Sequence, residues 1–157
     1  MKFRNILGSI PLIIMLIVFD QSSKTNFIEL LKTKPYMTIK VTSWFSFVSS
    51  WNHGISFGLF SDSKYSNNAF LVINCLIVGY LVSLLASTNN KLQRLGITII
   101  IGGAIGNLID RFFRGAVFDF LYFHYNGYSF PAFNLADAFI DIGVFLVILS
   151  FFRNRTQ

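Results

Sequence analysis

Charge is scarce in this chain of 157 residues: Asp, Glu, Lys and Arg make up 13%, against 54% hydrophobic residues and a mean hydropathy of +0.59. So little polar surface excludes an ordinary soluble globule and points to a bilayer. Cysteine is nearly absent. Cys75 stands alone inside an apolar run, which excludes an intramolecular disulfide, and no Cys near the N-terminus offers a site for a lipid anchor. His53 and His124 are the two histidines and there is no H-E-x-x-H, too few ligands for a catalytic metal, so neither metal nor cofactor is expected. The net charge of +6 comes from Lys and Arg scattered through loops and tails, not from a patch. Nucleic acid is therefore not the expected partner, and anionic membrane lipid is. Internal repeats, low-complexity tracts and inverted half-repeats of the transporter kind are also missing.

Apolar residues gather into four runs, at 6–19, 67–87, 95–109 and 138–152. Crossing about 30 Å of hydrocarbon takes about 20 helical residues, so every run but the second must recruit polar residues at its ends. The expected fold is an all-α integral membrane bundle of four transmembrane helices, near 6–27, 67–87, 94–112 and 135–152, in one domain over residues 1–157. Lys2 and Arg4 before the first run also fit a cleaved secretory signal, but Asp20-Gln21-Ser22-Ser23-Lys24 lacks the small-residue cleavage pattern, and a retained helix is expected. Lys2, Arg4, Lys91, Arg94, Arg153 and Arg155 cluster at helix ends, which by the positive-inside rule puts both termini in the cytoplasm. Lys24, Lys32, Lys34, Lys40 and Lys64 run against that count, in a connection long enough to obey the rule less strictly. The connections at 28–66 and 113–134 then lie outside.

Both outer connections are rich in aromatic and β-branched residues. The stretch 38–48 (TIKVTSWFSFV) reads as a strand or hairpin arm on the membrane, and Asn126-Gly127 between Tyr125 and Tyr128 reads as a tight turn. Trp44, Phe45, Phe47 and Trp51 suit the headgroup level, either as an interfacial belt or as a lipid-binding surface.

Acids inside a membrane are costly, yet Asp20, Asp110, Asp119, Asp137 and Asp141, five of the seven acidic residues, lie at or near the ends of the apolar runs. One reading is that these acids pair with Lys24, Arg111 and Arg114 to fasten helix ends; Asp20 and Lys24 at i, i+4 read equally as such a pair or as part of a site, and Asp110 beside Arg111 reads as structural. Gly103, Gly106, Asn107 and Asp110 share one small-and-polar helix face, which should meet other helices. Asp119 and Asp137 differ in having apolar neighbours and no adjacent base. Two such acids, if brought together, share a proton: one carboxylate activates water while one acid polarises a carbonyl, which is amide hydrolysis without a metal.

Five stretches, Asp20-Gln21-Ser22-Ser23-Lys24, Asn52-His53-Gly54-Ile55-Ser56-Phe57-Gly58, Gly106-Asn107-Leu108-Ile109-Asp110-Arg111, Val117-Phe118-Asp119-Phe120 and Phe133-Asn134-Leu135-Ala136-Asp137, resemble in order and spacing the signature blocks of the lipoprotein signal peptidase (signal peptidase II) family. The resemblance implies an aspartic endopeptidase acting at the outer face of the bacterial cytoplasmic (inner) membrane; a monomer is expected. It would cut the signal peptide from lipid-modified prolipoproteins just before the diacylglyceryl cysteine. It implies Asp119 and Asp137 as the catalytic pair, with Asp20, Lys24, Asn52, Gly54, Asn107, Asp110, Arg111 and Asn134 in support. It also implies a small β-platform near 36–58 and a mobile aromatic cover after Arg111. Phe118 stands where the family usually has a smaller β-branched residue, and Asp141 is outside its pattern.

Three further readings stay open. Ser22 and Ser23 adjoin Lys24, as a serine–lysine dyad would require, although adjacent helical residues face each other poorly. A transporter, channel or assembly subunit would also hold interior acids, but at mid-membrane and not gathered at one face. Asp141, one turn beyond Asp137, is either a neutral acid bonded to a neighbouring helix, a partner of Lys24 or Arg111, or a member of the catalytic set.

Overall fold

In a computed structural model, which describes residues 2–54 and 66–155, the chain forms four long helices and one small sheet. The helices are α1 (Lys2–Lys32), α2 (Ser66–Ser87), α3 (Lys91–Arg114) and α4 (Leu135–Arg155), and each contains a stretch long and apolar enough to cross a membrane. α1 continues past residue 27, where a loop was expected to begin. Its extra turns are held by packing: Phe27, Ile28 and Leu31 lie against Phe118 and Phe120, with Leu31 and Phe118 almost fully buried.

That apolar cluster is the seat of the sheet, whose strands β1 (Thr38–Lys40), β2 (Phe45–Asn52), β3 (Val117–Tyr125) and β4 (Tyr128–Ser129) pair antiparallel in the order β1-β2-β3-β4. Asn126 and Gly127, at φ 46° and 82°, make the β3–β4 turn in the left-handed region that Asn and Gly tolerate. The stretch after Arg111, expected as a mobile cover, is instead mostly strand β3. It pairs with β2, so platform and expected cover are one sheet. Aromatic rings cement that pairing, with Trp44 stacked on Phe123 at 5.8 Å and Phe45 beside Phe123 at 4.8 Å. Residues 55–58 of the expected platform lie outside the described residues.

Small residues let the helices approach closely. A Cβ on Gly96 would come within 2.7 Å of the Gly143 carbonyl oxygen, and one on Gly103 within 2.4 Å of that of Ala136, so α3 and α4 meet backbone to backbone. Away from the sheet, Leu85, Ile97 and Ile101 form a second apolar cluster. Asn5 ties α1 to α3 and to the α2–α3 connection there, donating to the Thr88 carbonyl at 2.9 Å and accepting from Arg94 at 2.8 Å.

Gly103→Ala should lower stability by about 1–3 kcal/mol, because the clash is with backbone that cannot rotate aside. Gly79→Ala, with nothing within 4 Å of the added carbon, should not. Thermal unfolding of both variants in detergent checks this, and equal melting of Gly103→Ala and wild type would mean that α3 and α4 are not so close.

Candidate active site

Asp20, Lys24 and Asp110 are wholly buried where α1 meets α3. The Lys24 ammonium donates to Asp20 Oδ2 at 2.9 Å, Asp110 Oδ2 at 3.0 Å and Asn107 Oδ1 at 3.0 Å, which uses its three N–H bonds. It is therefore a structural cation and not the free amine a serine–lysine dyad needs, and Ser23 Oγ is turned to the Asp20 carbonyl at 2.7 Å. Arg114 donates to Asp110 and to Gln21 Oε1, and the Gln21 amide donates to Asp20, Asp110 and the Gly106 carbonyl. Gln21 was not singled out in the sequence, whereas Arg114 was one of the bases expected to pair with the helix-end acids, and it meets Asp110 at i, i+4. Gln21 carries no such local signal, because most of its partners lie on α3.

The two aspartates also reach outward from this knot. Asp20 Oδ1 accepts the Ala136 amide at 3.0 Å, in the first turn of α4, and Asp110 Oδ2 accepts the Phe118 amide at 3.1 Å, in β3. Both are backbone donors buried away from water that need a partner. The same network thus fixes the two elements that carry Asp119 and Asp137.

Local structure completes the convergence. Gly115, at φ 77°, ends α3 and turns the chain into β3. Phe133 bridges Leu121 through backbone bonds of 2.9 and 3.0 Å, which pins the start of α4 against β3. Asn134 then caps α4: its Oδ1 accepts the Asp137 amide at 3.1 Å, and Asp137 Oδ2 accepts the Asn134 amide at 3.1 Å, a reciprocal capping box. The Asn134 carboxamide also donates to Asp119 Oδ1 at 2.6 Å. One residue, by its side chain and its backbone amide, holds both carboxylates.

The remaining oxygens are held as well. Asn107 donates to Asp137 Oδ1 at 2.8 Å, and Asn52 donates to Asp119 Oδ2 at 3.2 Å. The β2–β3 register slips between Phe47 and Ser50, and this bulge lies just before the Ser50–Asp119 pair. Gly54, at φ 98°, gives its amide to Asn52 Oδ1 at 2.8 Å, and a Cβ there would strike the Phe70 ring. Phe70 in turn lies under the Arg111 guanidinium at 5.2 Å. Burial first, and the charge of Asp137 second, push the Asp119 carboxyl up to about 7 and outweigh the donors Asn134 and Asn52 and the charge of Lys24. Asp137, Asn107, Asn52 and Arg111 line a cavity of about 350 Å³ between α2, α3 and α4. Asp141 is exposed and makes no hydrogen bond or ion pair among the described residues. Neither bonded role expected of it is realised, because α4 turns Ala136, Ile140 and Gly143 to α3, and not residue 141.

A family model described as signal peptidase (SPase) II matches residues 12–153. The chain belongs to the signal peptidase II family. It is 52% identical over 145 residues to a lipoprotein signal peptidase of Rickettsia felis, covering 92% of this chain and 74% of that protein. It is also 53% identical over 141 residues to the protein of the same name from Rickettsia akari, covering 89% and 72%. A solved structure described as a bacterial membrane enzyme is similar at a TM-score of 0.78 and 30% identity, over 94% of this chain and 89% of that one. Membership of the signal peptidase II family makes the chain a peptidase and, with its four apolar helices, a multi-pass protein of the bacterial inner membrane.

Lys24→Met leaves Asp20 without its cation and Asp110 with Arg114 alone, so it should cost about 3–5 kcal/mol, the range for breaking a buried pair. Asp20→Asn combined with Lys24→Met should recover part of that loss. Detergent melting of wild type, single and double variants tests the pair, and a single variant as stable as wild type would contradict it.

Proposed function

We propose that Asp119 and Asp137 are the catalytic pair of an aspartic endopeptidase that removes the signal peptide from diacylglyceryl-modified prolipoproteins, cutting just before the lipid-bearing cysteine. The observation that carries this is two carboxylates, from different elements, held by the side chain and the backbone amide of the one Asn134 beside a cavity among membrane helices. Charge balance supports it. Asp20 and Asp110 are offset by Lys24 and Arg114. Arg111, whose electrostatic neighbours include Asp119 and Asp137, offsets one further negative charge, the charge of a carboxylate pair sharing one proton. Asp137, at the third position of α4, meets the positive end of the helix dipole and holds the negative charge, while Asp119 carries the proton.

Asp137 takes a proton from water as the water oxygen bonds to the scissile carbonyl carbon, and Asp119 gives its proton to the carbonyl oxygen. The tetrahedral intermediate collapses as the C–N bond breaks: Asp137 protonates the leaving nitrogen and Asp119 takes back a proton from a hydroxyl of the intermediate, which leaves the carboxylic acid and restores the one-proton pair. Asp20, Lys24, Asn107, Asp110 and Asn134 position the acids. Asn52, Gly54 and Arg111 shape the mouth of the cavity. The acids lie at the sheet end of the helices and not at mid-bundle, which favours cleavage near headgroups over ion transport. The chain then acts as a single-domain monomer in contact with membrane lipid, both termini cytoplasmic and the sheet on the outer face.

Asp119→Asn and Asp137→Asn should each abolish cleavage of a lipidated prolipoprotein without loss of folding or insertion, whereas Asp141→Asn keeps most activity and chelators change nothing. Mass spectrometry of the products should place the cut before the lipid-bearing cysteine. Substantial turnover by either inactive-type variant removes that residue from the mechanism, and a cut elsewhere removes the substrate assignment.

The pair works with one proton, so kcat/KM should fall as pH rises through about 7, where Asp119 loses it. Asn52 donates to the ionised form of Asp119. Asn52→Ala withdraws that support, so the proton is held more tightly and the alkaline limb moves to higher pH. A limb that stays put or moves down contradicts the assignment of the proton to Asp119.

A further inference from the structure

The cavity beside the acids is lined by side chains already committed to one another, with one exception. Asn52 bonds Asp119 and Gly54, Asn107 bonds Asp137, Lys24 and Asn134, and Arg111 lies over Phe70. Asn74, on α2, also lines the cavity. It is half-buried, and its side chain makes no hydrogen bond among the described residues. Phe70, Asn74 and Ile77, at i, i+4 and i+7, form a single stripe of α2 against the cavity, so Asn74 lies one turn, about 6 Å, further from the sheet than Phe70. Around it the lining is Ile77, Ile100, Ala104 and Ile140. An amide left without a partner among such neighbours in a membrane is costly, and helix propensity does not favour Asn there.

We infer that Asn74 is a substrate-positioning residue, pairing with a main-chain amide of the bound peptide on the signal-peptide side of the scissile bond; this rests on the peptidase reading above. A peptide cannot be cleaved while its scissile segment is helical and its carbonyls are tied to its own amides. Once extended, it exposes N–H and C=O groups inside the membrane, and each needs a partner. A carboxamide suits that need because it both donates and accepts, as a peptide unit does. Asn74 lies along the cavity in the direction that leads away from the sheet into the apolar helices. An apolar signal segment would follow that course, which places Asn74 on the signal-peptide side of the acids.

The test uses the full chain in lipid and lipidated prolipoprotein peptides in which single peptide links before the cut are replaced by esters. One such ester should lower wild-type kcat/KM about tenfold, as expected for one lost hydrogen bond to a buried group. Asn74→Leu should cause a similar loss with unchanged melting temperature, and the two losses should not multiply. Asn74→Gln, which keeps the carboxamide, should recover part of the rate. Should Asn74→Leu fail to insert, Asn74→Ala completes the same cycle. Asn74→Leu with wild-type kcat/KM, or losses that multiply at every ester position, overturns the inference while leaving the peptidase reading intact. Wild type that cleaves no lipidated peptide overturns that reading, and this inference with it.

Discussion

The structure depends on one buried ammonium. Lys24 has no exposed surface, and a lone cation there would be prohibitively costly; it is tolerated because each of its three N–H bonds meets an oxygen. The oxygens belong to α1 and α3, and the carboxylates among them extend the network by one more bond to the backbone of α4 and of β3. Four elements are thereby referred to one point. Gly106 makes room for it, because a Cβ there would lie 2.6 Å from Asp20 Oδ2. An apolar replacement of such a cluster could pack as well or better, but it would supply no acceptor for the Ala136 and Phe118 amides.

That dependence explains why the acids are held by amides and not by bases. Asn52, Asn107 and Asn134 donate to all four carboxylate oxygens of Asp119 and Asp137, with the Asn134 backbone supplying one of the donors. A lysine in any of these places would ionise both acids outright. Carboxamides orient them while leaving room for a proton, and burial then decides the balance for Asp119. Arg111, the cation that lines the cavity among the described residues, stands over the aromatic face of Phe70.

Much of this is legible in the sequence, and the remainder is not for identifiable reasons. Apolar runs of bilayer length mark the helices, and Asn126-Gly127 marks the β3–β4 turn, because each is a local signal. The small-and-polar stripe at Gly103, Gly106, Asn107 and Asp110 correctly marks the face of α3 that meets its neighbours. What local pattern cannot carry is the approach of Asn52 to Asp119 across 67 positions, set by a strand pairing and a bulge. Residues 117–125 also carry so many aromatics that they suggest a lipid-facing cover. Their alternation is masked because Phe118 and Phe120 are buried against α1 while Asp119 is buried against Asn134. Gly143 goes unnoticed for a simpler reason: its close partner, Gly96, is on another helix.

The placement of the acids at the rim of the bundle suits the chemistry with water proposed for them. Deep in hydrocarbon the pair would be neutral and dry; in the aqueous phase both would ionise, and neither state hydrolyses an amide. The sheet resolves this by resting on the last turns of α1 and burying Phe118 and Phe120 on it, which brings Asp119 to the level where α4 begins. Asp119 is thus almost wholly buried while Asp137, at the helix end beside the cavity, is only partly so. The two carboxyl groups are chemically alike, and in the proposed mechanism their unequal access to water separates the one that holds a proton from the one that takes it.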